Sequence, residues 1–331
     1  MTTTFDLKGP GRQRPFATAM AERPVMVLLG VFVIFYLVAA MFDHSLLTIQ
    51  GARGILLLAC PLAMFAGAQT ICMLTGGIDM SVSMIATFAA YIVVDQMGGG
   101  VVWALLAGLL VGAGIGAVNG IGVGVFKVSA MIMTLGMQSV LLGVITVGAG
   151  ASGFLDGSRG LPDIIKTLGT GSVGPIPANT FLLIGMSVLL VWGLSRTGLG
   201  RNLYAVGDNP IACRLAGIRV WQVLIATYAV AGVLAAIGGM LIAGMNGSVG
   251  PDMANIYLLP SVAAAVVGGT SVMGGIGGFG GTVVGALILT VLNRLLLTFD
   301  TSEAMRQFIY GLIVLGLAWV YSRLTGAKAR S

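Results

Sequence analysis

Ten predominantly apolar runs follow one another between residues 24 and 322, separated by short polar breaks. They fall at 24–42, 54–74, 79–97, 101–126, 128–149, 178–194, 221–245, 258–270, 280–298 and 305–322. A bilayer-spanning helix needs about 20 mostly apolar residues, and all but the eighth run approach that length. Only 8% of the 331 residues are charged and 57% are hydrophobic. A soluble domain carries about a quarter charged residues, so most of this chain must be solvated by lipid. The expected fold is an all-α integral membrane protein of about ten transmembrane helices.

Charge orients the runs. With the N-terminus inside and every run crossing, the cytoplasmic side receives Lys8, Arg12, Arg14, Arg23, Lys127, Arg196, Arg201, Arg214, Arg219, Arg323, Lys328 and Arg330. That is 12 of the 17 basic residues. The outer side receives Arg53, Arg159, Lys166, Arg294 and Arg306, with seven of the eleven acids. This is the positive-inside bias, and it predicts cytoplasmic N- and C-termini. The basic, polar stretch 1–23 meets the first run without a small-residue cleavage site and reads as a cytoplasmic tail rather than a signal peptide. Residues 24–323 read as one transmembrane domain and 324–331 as a C-terminal tail. The longest outer loop, 150–177, is polar and rich in glycine and proline, with an apolar stretch fit for a short helix.

The polar stretch 195–220, "SRTGLGRNLYAVGDNPIACRLAGIRV", is an exception within this apolar chain, and the charge bias puts it in the cytoplasm. Glycine is also patterned. Gly108, Gly112, Gly116, Gly120 and Gly124 recur every fourth residue, a bare ridge along one helix face that lets a neighbouring backbone approach closely. Gly277, Gly281 and Gly285 predict a second packing ridge. Gly275, Gly277 and Gly280 have GxGxxG spacing with Asp300 further on, but a membrane-length apolar run follows where a nucleotide-binding unit would need a βαβ fold.

Several chemistries lack parts. His44 is the single histidine, and Cys60, Cys72 and Cys213 have no CxxC spacing, so neither a metal site nor a Ser-His-Asp hydrolase is expected. Lys127 in "GVGVFKVS" lacks the preceding glycine of a phosphate-binding loop. The expectation is a chain that is not an enzyme, binds no cofactor and holds no metal. Asp79 follows a glycine pair and opens a run, where an aspartate serves as N-cap or turn residue. An acid embedded in a membrane also marks a solute path. Thr70, Asp79, Ser81, Asn119 and Thr134 are the polar candidates for a translocation pathway.

Four stretches resemble the permease subunits of bacterial ABC importers for monosaccharides, of the ribose/xylose/galactofuranose type. The loop motif of that family is matched by Gly200, Arg201, Tyr204, Ala205, Gly207, Asn209, Ala212, Gly217, Ile218 and Val220. "LTGGIDMSVS" is similar to its TGGIDLSVG, Asn119–Gly120 with Thr134–Met137 to its NG…TLG, and "VVGGTSVMGGIGGFGGTVVGA" to its glycine-rich stretch. Departures at Ala130–Met131, Met245–Asn246 and Leu258–Pro260 leave the cargo open.

The resemblance implies a ribose-type ABC permease fold in the bacterial inner membrane. It implies ATP hydrolysis, with its magnesium, on a separate cytoplasmic ATPase, a periplasmic sugar-binding protein that delivers cargo, and a second permease copy, identical or sister. It also implies that a short helix in 195–220 seats in the ATPase. Asp208 or Asn209 would cap it, Pro210 would open it and Gly217 would stop it. Ala212, Leu215 and Ala216 would face the ATPase groove, with Arg214 and Arg219 at its rim. The related cargo classes are nucleosides, polyols and branched-chain amino acids; an ion-coupled secondary carrier is the competing class.

Overall fold

The computed structural model describes residues 24–149, 155, 157 and 160–328, with backbone alone at Pro24 and from residue 320 onward. The proposed tail 1–23, much of 150–160 and the last three residues lie outside the described residues. Among the described residues are thirteen α-helices and one two-stranded hairpin. The long helices are α1 (Pro24–Phe42), α2 (Ile49–Leu74), α3 (Val82–Asp95), α4 (Val101–Gly124) and α5 (Ala130–Gly148), then α7 (Ala178–Arg196), α10 (Val220–Asn246), α12 (Phe279–Thr298) and α13 (Glu303–Lys328). The short ones are α6 (Asp163–Thr170), α8 (Gly198–Asp208), α9 (Pro210–Leu215) and α11 (Leu258–Val267). Strands β1 (Ser172–Val173) and β2 (Ile176–Pro177) pair antiparallel just before α7.

Eight segments are long and apolar enough to cross a membrane. One of them comprises α3 and the short 3-10 turn that follows it. Two further elements complete the bundle. The first is α13, at 26 residues. The second is α11 with the stretch after it, and here the sequence expectation of a helix over 258–270 needs correcting. The helix is ten residues long, about 15 Å at 1.5 Å per residue, too short to cross alone. It starts where Gln307 of α13 reaches the Ile256 carbonyl and ends with Gly268 against Gly281 of α12. Residues 268–278 then lie against Leu74, Gly76 and Gly207. Helix and loop together therefore traverse the bundle. The end that carries α8 and α9 is termed the island end below, and the opposite one the far end.

α2 and α10 form the buried centre, with α3 and α4 packed on them. All five glycines of the α4 ridge meet another element. Gly108 faces Val93 and Met240, Gly112 faces Gly232 and Ala236, Gly116 the Tyr228 carbonyl, Gly120 Ile225, and Gly124 Trp221. Gly112 and Gly232 approach backbone to backbone, which only residues without a Cβ allow. On α12, Gly281 and Gly285 pack on Gly268 and Ala264 of α11. Gly277 is not part of that ridge. It lies in the preceding loop at φ 141°, a conformation open to glycine.

A polar clasp closes the far end. Arg294 of α12 donates from Nε to Asp43 Oδ2 at 2.9 Å and from Nη2 to Ser45 Oγ at 3.1 Å. Hydrogen bonding from the Ser45 side chain, joined by the Arg294 guanidinium, holds the Asp43 carboxyl below the usual carboxylate range. A carboxyl lowered in the folded state stabilises fully above the ordinary value of about 3.9 and loses that contribution as pH falls below it. Acid titration of thermal stability in detergent is expected to show this loss in the wild type, and a smaller one in Arg294→Gln.

The packing predicts a contrast between neighbouring glycines. At Gly116 an added Cβ collides with backbone, whereas at Gly114 nothing lies within 4 Å. Gly116→Ala should cost about 1–3 kcal/mol by overpacking, while Gly114→Ala should be neutral or slightly stabilising. Thermal unfolding of both variants in one detergent measures the difference.

Candidate functional site

The chain breaks its helical run at 75–81 and again at 268–278, where Met273 and Ile276 are exposed, and the candidate site is built on the first break. α2 ends at Leu74, and the chain turns back through Gly76 at φ 80°. It climbs beside α2 until Asp79 lies level with Gln69. There the Gln69 side chain donates to the Asp79 carbonyl at 2.6 Å and accepts from its N–H at 3.2 Å. Thr134 of α5 accepts from the Met80 N–H at 3.0 Å while its own hydroxyl proton points to the Ala130 carbonyl at 2.9 Å, with the Ile78 carbonyl farther off at 3.3 Å. Two side chains thus satisfy backbone groups that no helix serves.

Four of the five sequence candidates meet at this turn. Asp79 Oδ1 accepts from the Ser81 N–H at 2.8 Å and the Ser81 hydroxyl at 2.6 Å. Ser81 Oγ in turn accepts from Asn119 Nδ2 of α4 at 2.8 Å, and Thr134 braces the turn from α5. All four are fully buried. Asp79 is not the helix cap; Ser81 stands at the N-cap of α3, and Asp79 shapes the turn two residues earlier. Thr70 goes elsewhere, sharing a 2.6 Å hydrogen bond with Thr282 that ties α2 to α12. Asp79 Oδ2, Asn119 Oδ1 and the Tyr228 hydroxyl are buried without a hydrogen-bond partner among the described residues.

A cavity of about 1060 Å³ opens at the island end and runs up to Gly77 and Tyr228, stopping short of Asp79, Ser81, Asn119 and Thr134. Gly77 and Tyr228 are part of its lining, and Lys127, Arg214 and Arg219 stand along it with no carboxylate among the lining residues. Gly77 leaves space for the Tyr228 hydroxyl, which an added Cβ there would strike. On the other side of the cluster, Ser83 Oγ donates to Asn255 Oδ1 at 3.4 Å, and Asn255 Nδ2 donates to Asp252 at 3.3 Å. Asn255 belongs to the far-end loop that dips between α10 and α11. Ser83 and Asn255 thus extend the buried polar groups of this turn toward the far-end loop. Gln69, Tyr228 and Asn255 escaped the sequence reading, because nothing local distinguishes them from ordinary helix or loop residues.

The island contains two helices rather than a loop. The Thr197 side chain caps α8, accepting from the Gly200 N–H at 3.1 Å. Of the two cap candidates for α9 it is Asn209 that serves, with its Oδ1 accepting from Ile211 and Ala212 N–H at 3.0 and 2.9 Å. Pro210 opens the helix and Gly217, at φ 82°, follows its end. Asp208 ends α8. Cys213 alone turns inward, while Ala212, Arg214 and Ala216 are exposed. Ile211 and Leu215 are 62% and 86% exposed. They stand one turn apart and make an apolar face with Ala212 and Ala216.

α8 fastens this helix to both breaks. The Tyr204 hydroxyl donates to the Gly277 carbonyl at 2.9 Å. Gly207 packs so tightly on the Leu74 carbonyl and the Gly275 nitrogen that a Cβ has no room.

Many apolar crossings, helix breaks bonded to neighbouring elements and a buried polar cluster mark a multi-pass inner-membrane permease. The chain belongs to the family described as branched-chain amino acid transport system / permease component, whose model matches residues 51–318. It is 33% identical over 302 residues to the ribose import permease protein of Escherichia coli (strain K12), covering 90% of this chain and 92% of that one. It is 32% identical over 315 residues to the autoinducer 2 import system permease protein of Yersinia pseudotuberculosis, covering 94% and 88%. No solved structure matches the chain significantly.

Removing the link between α3 and α4 tests the cluster. Ser81→Ala leaves Asn119 Nδ2 without its acceptor and Asp79 Oδ1 with the backbone N–H alone. Stranding a buried polar group costs about 1–3 kcal/mol, and a matching drop in thermal stability in detergent is expected. Ser139→Ala, on the exposed face of α5, should leave stability unchanged.

Proposed function

We propose that the chain is the membrane subunit of an ATP-driven importer that passes a small neutral polyhydroxylated solute, a monosaccharide, from a periplasmic binding protein to the cytoplasm. The observation that carries this reading is the exposed apolar face of α9, mechanically fastened through α8 to the two helix breaks. An amphipathic helix with Ile211 and Leu215 in water needs a partner. A cytoplasmic ATPase that holds the nucleotide and its magnesium supplies one, with Arg214 and Arg219 at the rim of its groove. The island end is then cytoplasmic, in keeping with the basic residues it gathers.

The proposed cycle uses this fastening. ATP binding moves the ATPase against α9; α8 carries the displacement to Leu74 and Gly275. The turn at 75–81 shifts with them and alters the route at Asp79, Ser81, Asn119 and Thr134. Because ATPase subunits of this kind act as a pair, the permease acts as a dimer, with itself or with a sister chain. A neutral cargo suits a route in which Asp79 is the one fully buried charged residue among the described residues. The ribose permease among the relatives supports the monosaccharide class. Asp79, with one unpartnered oxygen, keeps ion-driven transport as the rival mechanism.

Co-purification from the native membrane separates the two. An ATPase subunit should accompany the wild type and be lost from Leu215→Glu, while Gly207→Ala should keep the ATPase but slow ATP-dependent uptake in proteoliposomes. Uptake that needs no ATPase and stops in Asp79→Asn would overturn the importer reading.

A further inference from the structure

A second cavity, of about 230 Å³, opens near the far end between α2, α11, α12 and α13. It is distinct from the polar route, although its wall at Ile256–Tyr257 directly follows Asn255. At about 30 Å³ per water it has room for seven or eight waters, or for one compact ring. From its lining we infer a binding subsite for a neutral polyhydroxylated ring, a first station for cargo at the far end; the inference rests on the importer reading above.

The lining is built for that chemistry and against others. Arg306 and Glu303 pair with each other, so the site offers an ion pair with no net charge. An anion or a cation would have to compete with a charge already matched. Glu303 also accepts from Gln307 at 2.8 Å. What remains unspent is donors. Arg306 Nε is buried without a partner. The Tyr310 hydroxyl donates to Asn293 Oδ1 at 3.1 Å, which fixes the amide and leaves its Nδ2 hydrogens for a ligand. The Tyr257 hydroxyl makes no hydrogen bond to protein among the described residues. Three residues with donor groups, Tyr257, Asn293 and Arg306, border this one small space, which suits a ligand with several closely spaced oxygens.

The apolar part agrees. The Tyr257 ring stacks on Phe65 at 5.4 Å between centroids and is rigidly held. With Leu58, Leu62 and Leu289 it presents carbon to the C–H face of a ring. Four segments distant in sequence supply these groups, so no local motif announces the site. Glu303 is half exposed at the mouth, which leaves a path for cargo handed over at this end.

The test is saturation-transfer NMR on the chain in lipid nanodiscs, with D-ribose, glycerol and L-leucine as probes. Transfer to D-ribose is expected, weakened about fivefold in Asn293→Leu and in Arg306→Lys, each of which removes one donor, and unchanged in Gly114→Ala. Arg306→Lys retains the pair with Glu303 and so separates lost recognition from lost folding, which thermal unfolding of the same samples reports. Equal transfer in wild type and both variants, no transfer from D-ribose, or preference for L-leucine overturns the subsite. ATP-dependent ribose uptake in proteoliposomes with the cognate ATPase and binding protein is read separately. Uptake that persists undiminished in the variants removes the subsite and spares the importer; absence of ATP-dependent uptake in the wild type removes the importer reading instead.

Discussion

Inside a bilayer there is no water to complete a backbone hydrogen bond, so a chain that leaves the helix there must find partners within itself. This molecule does so twice, and its other features are arranged around the two breaks. Gln69 pairs with both backbone groups of Asp79, Thr134 accepts from the Met80 N–H, and Tyr204 serves Gly277. The Gly275 N–H bonds the Leu74 carbonyl at 3.0 Å, so that each break satisfies part of the other. Such segments need neighbours close by, in keeping with α2 and α10 at the buried centre and α1 and α5 on the outside of the bundle.

The same demand explains the glycines. Side-chain amides and hydroxyls are short, so a break can be satisfied only if its neighbours come close. α4 meets α10 at Gly112 and Gly232 with backbones touching, and that approach brings Asn119 to within 2.8 Å of Ser81. In lipid, hydrophobic attraction between helices is absent and close packing with internal polar bonds has to hold them together. The glycine ridge and the polar cluster are two aspects of one packing solution.

Much of this was legible in the sequence and some was not, for physical reasons. Apolar length and fourfold glycine spacing are local signals, and they led directly to the crossings and to the α4 ridge. The motif around Asp79 marked a turn, yet its depth inside the bundle depends on Gln69, a residue on another helix with nothing local to flag it. The glycine at 277 fitted a ridge by spacing, but the helix starts only at Phe279 because the loop before it needs left-handed conformations. The island reads as a loop because its composition is polar; α8 is helical because Leu203 and Val206 find burial against distant elements. The cavity beside Tyr257 draws on four separate segments and has no linear signature at all.

The arrangement of α8 bears on how such a protein can move. A helix held to a bundle by side chains alone can slip by changing rotamers, and a displacement imposed on it would be absorbed. At Gly207 the contact is backbone against backbone, to the Leu74 carbonyl and the Gly275 nitrogen. Close-packed interiors transmit strain rather than absorb it. A displacement of α9 must therefore appear at both breaks together, since their own hydrogen bond at Leu74 and Gly275 joins them. The breaks are also the segments least constrained by helical geometry, with turns able to take up changes in φ and ψ that a helix would resist. Rigid coupling thus ends on the most adjustable backbone in the molecule, next to the buried cluster of Asp79, Ser81 and Asn119.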